Sequence, residues 1–531
     1  VLVDARTIAA GDRLDADVCV VGAGPAGIAV ARVLERAVPR VLVLAGGDEP
    51  PAGEVAGEPY PPLATTRAGG IGGTAALWDA ELAPSSFGAR YVPLASIDFE
   101  DRAPWSRGGW PFDRETLDSY YARAHELCDA GPYDYAAPEG SLPFADPDVT
   151  AGVARFGAAA TFTAVQRRWL EESDTVRVLA GAAATRVVAE EGRAVAVEAA
   201  TAADRRFSVA ARTFVLAAGG IENARLLLVS GIGDEGVVGS CFMDHPTIHS
   251  RLELSDPPAD LAFFDTRTAA GRTTVGRAEL APETMRREQL LNGTFFAVPA
   301  RDREARAGAA ARTLLRSARE RRVPPQPLRL AADVAAGIDA LAYRAHRRLV
   351  ERRPSLSASL RAWPRSRLLN TLGVGPISGW SGRSARPSAF DLYHVIEQAP
   401  DPARRVSLSA ERDALGNPLA RLHWFVGSSE LESAERSRAI LARALERAGA
   451  GRLHPLGEAP HPSAHHHLGT TRMHADPRLG VADADGRVHG TSNLFVTGGS
   501  VFPTSGFANP TLTIVALALR LGAYLREDRS S

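Results

Sequence analysis

A chain of 531 residues with 45% apolar residues, 23% charged residues and a net charge of −1 is neither disordered nor drawn as a whole to nucleic acid. Its length exceeds what one core sustains, so two domains are expected. Three cysteines without a C-x-x-C pair (Cys19, Cys128, Cys241) argue against a disulfide framework and a thiolate zinc centre, and the 61 basic residues are all arginine, as GC-rich coding produces.

Residues 17–45 read as strand, turn, helix, strand. Asp17-Val18-Cys19-Val20-Val21 is a short apolar run ending in glycines, Ile28 to Leu34 places apolar residues at helical spacing, and Val41-Leu42-Val43-Leu44 is a second strand. A glycine-rich loop follows at Gly69–Gly73. Trp110-Pro111-Phe112 is expected to open a helix carrying Tyr120, Tyr121 and Leu127 at helical spacing. Short strands fill 175–215 and end in Thr213-Phe214-Val215-Leu216.

The stretch 301–367 holds 17 arginines against six acidic residues, with helical, alanine-rich character around Ala309–Arg319 and Ala331–Val350. Two readings compete: a patch for a membrane surface or an anionic ligand, and the solvated face of an inserted helical pair. The second is preferred, because charge runs are usually solvated faces.

The end mirrors the beginning, with strand Leu494-Phe495-Val496, a Gly/Ser/Pro loop and a helix over 511–525. Arg520 interrupts that helix short of the roughly 18 apolar residues of a membrane span, so it reads as buried and no integral membrane segment is expected. No secretory pattern opens the chain. A cytoplasmic location is the default, and the start at Val1 leaves a removed leader open.

Strand–glycine–helix units at both ends predict an α/β fold. A Rossmann-type nucleotide domain is assembled from N-terminal, middle and C-terminal segments around an inserted α+β domain. The expected division is 1–250 with 436–531 for the nucleotide domain and 251–435 for the inserted one.

Gly22-Ala23-Gly24-Pro25-Ala26-Gly27 is G-x-G-x-x-G on a strand-to-helix turn. Gly22 permits the tight turn, Gly24 lets backbone approach a pyrophosphate, Gly27 lets helix meet strand, and the helix N-terminus faces the phosphate charge. The acidic residue expected at the end of the second strand is replaced by Ala45, with Asp48 and Glu49 a few residues on. A missing charge-assisted ribose contact costs on the order of 1.5–3 kcal/mol of gross interaction, so weakened retention of the adenosine half is expected.

The C-terminal constellation is Ala464-His465-His466-His467-Leu468-Gly469-Thr470-Thr471-Arg472-Met473 and Gly498-Gly499-Ser500-Val501-Phe502-Pro503-Thr504-Ser505-Gly506-Phe507-Ala508-Asn509-Pro510-Thr511. With the N-terminal fingerprint it resembles the glucose-methanol-choline (GMC) oxidoreductases. Further matches run in family order: Arg67 with Gly72-Gly73-Thr74 and Trp78, Gly109-Trp110-Pro111-Phe112, and Ala218-Gly219-Gly220-Ile221-Glu222-Asn223-Ala224-Arg225. Met243-Asp244-His245-Pro246, Glu397-Gln398-Ala399-Pro400 and Asn493-Leu494-Phe495 complete them, leaving 250–390 without a match.

The resemblance implies FAD with its isoalloxazine ring between two domains and a histidine base paired with a second histidine or an asparagine. The family's His-x-x-Gly-Thr spacing selects His466, and the partner falls on Asn509. Gly22, Gly24, Pro25, Ala26, Gly27, Arg67, Gly72, Gly73, Thr74, Trp78, Ala218, Gly219, Glu222, Gly499, Ser500, Asn509, Pro510 and Thr511 are the implied cofactor contacts. The His–Asn pair and Gly498-Gly499 resemble the pyranose-oxidase-like branch, which points to a sugar, amino sugar or glycoside and to oxygen or another electron acceptor. Some members attach FAD through a histidine. The corresponding position here is Leu77, so non-covalent FAD is expected.

The chemistry agrees with these residue types. Hydride leaves a carbinol carbon more easily as its hydroxyl loses a proton, and a neutral imidazole titrating near pH 6.5 suits that proton removal. A carboxamide orients the same oxygen without adding charge. Asn509 before Pro510 also reads as an ordinary N-cap. Adjacent histidines 465–467 alternate faces in a strand, and Pro462 and Gly469 argue against a helix that would align His461 with His465, so no metal site is expected. His465, His467 and His474 then read as hydrogen-bonding or packing residues, and His245 as a structural histidine. Glu397 and Gln398 read either as contacts to a polyol or as plain inter-domain hydrogen bonds. The competing functions are a GMC dehydrogenase of a non-sugar alcohol, a nicotinamide-dependent Rossmann dehydrogenase, and a non-catalytic flavin-binding protein.

Overall fold

The computed structural model describes residues 1–528 apart from 50–51, 79, 84–85, 106, 257–259, 270–271, 301, 321, 337–388, 458–459 and 464. Its first sheet runs Leu2–Asp4, Val176–Ala180, Val41–Ala45, Arg13–Val21, Arg205–Leu216, Arg193–Ala202, Ala183–Glu190. Neighbours are parallel up to Arg205–Leu216 and antiparallel beyond it. Leu494–Val496 pairs in parallel with the last residues of Arg205–Leu216, which returns the C-terminal segment to the nucleotide sheet. Val18, Cys19, Val20 and Val41 to Ala45 are buried, as continuous apolar strands of a parallel sheet covered on both faces must be.

Helices Pro25–Leu34 and Thr511–Asp528 pack against each other across one face. A Cβ on Gly522 would lie 2.7 Å from Val33 Cβ, so glycine is what lets the two helices close. Among the described residues no helix is long and apolar enough to cross a membrane.

The second sheet has ten strands among the described residues. Its main path is Gly451–Pro455, Pro246–Leu254, Ala389–Ile396, Gly293–Pro299, Arg272–Leu280, Val149–Ala158, Ser86–Tyr91 and Ala80–Ala83. Helix Ser428–Arg447 covers it, and Ile440, Leu441, Ala444 and Leu445 share a core with Leu252, Phe295 and Leu392. A small third sheet joins Arg405–Arg412 and Pro418–Trp424 to Gly53–Gly57.

Sheet membership crosses the expected boundaries. Strands between 80 and 158 belong to the sheet of the inserted segment, and those between 405 and 424 pair with residues 53–57. Side-chain alternation decides which face of a strand is buried but not which strand lies beside it. The helix expected from Trp110 starts later, as a 3-10 turn at Arg114–Leu117 continued by Asp118–Leu127. Trp110 is instead pinned into the core, its indole N–H on Thr504 Oγ1 at 2.9 Å and its ring against Phe99 and Phe502. Within the arginine-rich stretch, Asp302–Arg319 and Pro327–Ala336 form two helices packed on each other. Arg312, Arg316, Arg319 and Arg322 are exposed, and residues 337–367 lie outside the described residues.

Candidate active site

Three loops meet at the carboxyl ends of the parallel strands, where open α/β sheets bind ligands. In the first, Gly22 has φ +111°, and a Cβ there would lie 2.4 Å from Ala217 O. A Cβ on Gly27 would lie 1.9 Å from Gly22 O, so only glycine lets the helix start this close to the strand. The loop 69–73 sits on it, with Gly72 N–H donating to Ala23 O at 2.8 Å. The third loop follows Leu494–Val496, where Gly498 lies beside Ala26. Asn223 clamps the arrangement: its Oδ1 accepts from Ala218 N at 2.8 Å and its Nδ2 donates to Thr497 O at 3.0 Å and Ser500 Oγ at 2.9 Å.

This cradle fits a dinucleotide. Cβ atoms built on Gly24, Gly46, Gly47 and Gly219 would meet nothing within 4 Å, leaving open space before the strand ends. Helix Pro25–Leu34 begins there with no capping side chain, so its first-turn N–H groups are available to a diphosphate. Ala45 is buried at the end of its strand, and Asp48 lies against Gly70. Arg67 and Glu222 bind each other at 2.6 Å, with Arg225 on the second carboxylate oxygen at 2.6 Å. Burial opposes the Glu222 carboxylate, but the two guanidinium groups hold its pKa below the usual range. Thr74 Oγ1 accepts from Ala68 N at 3.4 Å, and Trp78 sets its edge on Phe162 just after the turn Gly73–Leu77.

His466 and Asn509 come together across 43 residues, with Asn509 Nδ2 3.2 Å from His466 Nε2. Strand register explains where His466 sits. Met243 and Leu468 form an antiparallel bridge with both hydrogen bonds at 3.0 Å, and two residues outward on each side this register puts His245 opposite His466. Their Nδ1 atoms are 2.9 Å apart. His245 Nε2 reaches Ser505 O at 3.3 Å. Asn509 Oδ1 accepts from Arg90 Nε at 2.7 Å, and the Arg90 guanidinium lies 4.4 Å from the Phe296 ring centroid. Both ends of the Asn509 carboxamide thus serve this cluster rather than a helix cap.

Burial first, then the neighbouring His245, His465, Arg90 and His467, hold the His466 pKa well below 6.5. Burial lowers that of His245 to about 4, and burial followed by Arg277 lowers that of Arg90 to about 10. At neutral pH the two imidazoles are uncharged beside one cation.

Of the two roles open to Glu397 and Gln398, the structure gives them the interior one. Both Glu397 oxygens are 2.7 Å from Arg102 Nη2. Gln398 Oε1 accepts from Asp244 N at 2.9 Å and Trp424 Nε1 at 3.2 Å, while its Nε2 donates to Phe425 O at 3.0 Å. His465 Nδ1 lies 3.2 Å from Thr66 O, His467 packs on Tyr60 and Phe242, and His474 Nδ1 accepts from Asp476 N at 2.8 Å. His461 lies in a short strand with its Nε2 2.9 Å from that of His249. Sequence reading missed Arg90, which carries no motif, and the contact of His245 with His466.

The two GMC oxidoreductase family models match residues 157–247 and 400–518. The fructose dehydrogenase large subunit of Gluconobacter japonicus is 36% identical over 140 residues, 26% of this chain and 25% of that one. The 6'''-hydroxyparomomycin C oxidase of Streptomyces lividus is 32% identical over 170 residues, 30% of this chain and 31% of that one. The chain thus matches between a quarter and a third of the length of these relatives. A fungal aryl-alcohol oxidase structure shares the fold with TM-score 0.53 and 17% identity, covering 97% of this chain and 100% of that one. With an N-terminal and a C-terminal family model in their proper order on this fold, the chain belongs to the GMC oxidoreductase family.

Proposed function

We propose that this chain oxidises an alcohol hydroxyl of a sugar, amino sugar or glycoside, with His466 removing the hydroxyl proton and Asn509 steadying the oxygen. The observation that carries the reading is the 3.2 Å separation of His466 Nε2 and Asn509 Nδ2, which leaves both within reach of one substrate oxygen. Burial keeps His466 neutral, the form able to make the new N–H bond as the O–H bond breaks. The Asn509 amide N–H donates to that oxygen while negative charge develops on it. FAD, the cofactor the family implies, supplies flavin N5 as the hydride acceptor when bound.

Gly22, Gly24 and Gly27 with the following helix N-terminus would hold its diphosphate, and Gly72, Gly73, Ala218, Gly219, Gly499 and Ser500 line the same cradle. The N-terminus of helix Thr511–Asp528 follows Asn509 directly, and its dipole favours negative charge nearby. Attachment is non-covalent, because leucine at 77 cannot form the bond. The carbohydrate class draws support from relatives named for fructose and for 6'''-hydroxyparomomycin C. One of these is named a dehydrogenase and the other an oxidase, so oxygen and an artificial acceptor belong in the same assay.

Anaerobic titration of the yellow protein with sugars, amino sugars, glycosides and simple alcohols tests the reading. Bleaching by a carbohydrate, lost in His466→Ala, is the expected result. Bleaching by non-sugar alcohols alone would replace the substrate class. A colourless protein that binds NADH, or a yellow one that no alcohol bleaches, would remove the reading altogether.

A further inference from the structure

The side chains around His466 form one chain of hydrogen bonds whose two ends permit a single polarity. At one end lies the Ser505 carbonyl, 3.3 Å from His245 Nε2, and a carbonyl only accepts. At the other lies Arg90 Nε, 2.7 Å from Asn509 Oδ1, and a guanidinium only donates. The intervening links are His245 Nδ1 to His466 Nδ1 at 2.9 Å and Asn509 Nδ2 to His466 Nε2 at 3.2 Å.

Followed from the carbonyl, His245 carries its proton on Nε2. Being neutral, it offers only a lone pair at Nδ1, so the proton between the two rings belongs to His466 Nδ1. Followed from the arginine, the Asn509 oxygen is held outward and its NH2 faces His466, so His466 Nε2 is a lone pair. The two ends reach the same tautomer independently.

We infer that His245 is a positioning residue that holds His466 in the Nδ1-protonated tautomer, keeping its Nε2 lone pair on the side of Asn509 where an alcohol oxygen would enter. The inference rests on His466 being the proton acceptor. Without an acceptor behind it, an imidazole can carry its proton on Nε2, where it would donate to the alcohol oxygen instead of taking its proton. The chain also stops at a backbone carbonyl, which passes no proton on. The proton gained by His466 Nε2 when the alcohol O–H bond breaks therefore leaves on the substrate side.

The test is imidazole 15N NMR of the FAD-loaded protein labelled at histidine, with His466 assigned by its loss in His466→Ala. The wild type is expected to show His466 protonated at Nδ1. His245→Phe keeps the burial and removes the acceptor. It leaves the buried Nδ1–H without an acceptor, with the Asn509 amide alone still favouring that tautomer, and is expected to populate the Nε2-protonated form measurably and to lower kcat severalfold, with little change in KM. His245→Asn places an amide oxygen near the lost Nδ1, and is expected to restore the tautomer and part of kcat. An Nε2-protonated His466 in the wild type overturns the inference, as does a folded, flavin-loaded His245→Phe with unchanged tautomer and kcat. Should His245→Phe not fold, the wild-type spectrum decides alone. Alcohol-dependent bleaching that survives His466→Ala would defeat the proposed function instead, and the spectrum would still read the tautomer.

Discussion

Arg90 donates its Nε–H to Asn509 Oδ1 at 2.7 Å, and that bond decides which end of the carboxamide faces His466. Arg90 lies on the strand Ser86–Tyr91 of the second sheet, whereas Asn509 precedes the last helix of the nucleotide domain. The site is therefore completed across the two sheets. In Arg90→Leu the amide oxygen loses its donor at a cost of about 1–3 kcal/mol. The amide then keeps only its bond to His466 and is no longer fixed from its oxygen end. Turnover is expected to fall about tenfold, with a melting temperature lower by a few degrees. Steady-state kinetics beside thermal unfolding checks this, and unchanged turnover would show that Asn509 holds its orientation unaided.

At position 509 itself, removal and charge give different signatures. Asn509→Ala is expected to reduce turnover far more than melting temperature, because both amide bonds serve the cluster and neither caps the helix. A matching loss of stability with activity intact would restore the N-cap reading. Asn509→Asp keeps a partner for Arg90 but sets a carboxylate beside His466 Nε2. An anion there favours imidazolium and raises the His466 pKa from its depressed value. The acid limb of the kcat/KM profile should then move to higher pH.

What the sequence disclosed follows from the range of the forces involved. The unit from Val18 to Leu44 was legible because its apolar periods and glycine positions are local. His466 and Asn509 were legible because the motifs around them have fixed spacing. Arg90 was not, since a lone arginine on a strand gives no sign that the sheet carries it 419 residues along the chain to Asn509. His245 sat in a recognisable motif, but its partner depends on the Met243–Leu468 bridge, a register that no local pattern encodes. The sheet each strand joins was not legible for the same reason, because strands 80–91 and 149–158 look alike for either sheet.

Flavin attachment offers an independent check. Leu77 closes the turn Gly73–Leu77 and has no nucleophilic atom, so acid precipitation is expected to release all the yellow colour into the supernatant. Flavin fluorescence that stays with the chain on a denaturing gel would refute it. Ala45 gives no charged contact to the ribose, and Asp48 lies on Gly70. Flavin is accordingly expected to dissociate on dilution to nanomolar protein. Retention of full absorbance through gel filtration and dilution would assign that contact to another group.

Stability should fall in mild acid, and the sign follows from two buried imidazoles. Burial lowers the pKa of His245 to about 4 and that of His394, stacked on Phe295 with ring centroids 3.9 Å apart, to about 3. In the unfolded chain both titrate near 6.5. Below that pH the unfolded state binds protons that the folded state refuses. The stability each neutral ring contributes is present above about pH 6.5 and is lost progressively as pH falls toward the folded values. By pH 5 the loss amounts to about 2 kcal/mol per histidine, from 1.36 kcal/mol per pH unit. Urea unfolding at pH 7 and pH 5 should show this drop, and His394→Phe, which keeps the stacked ring and removes the titration, should show a smaller one. Equal drops in wild type and variant would mean that His394 is protonated in the folded protein at pH 5, and that its ring is less enclosed than its buried place on a strand of the second sheet implies.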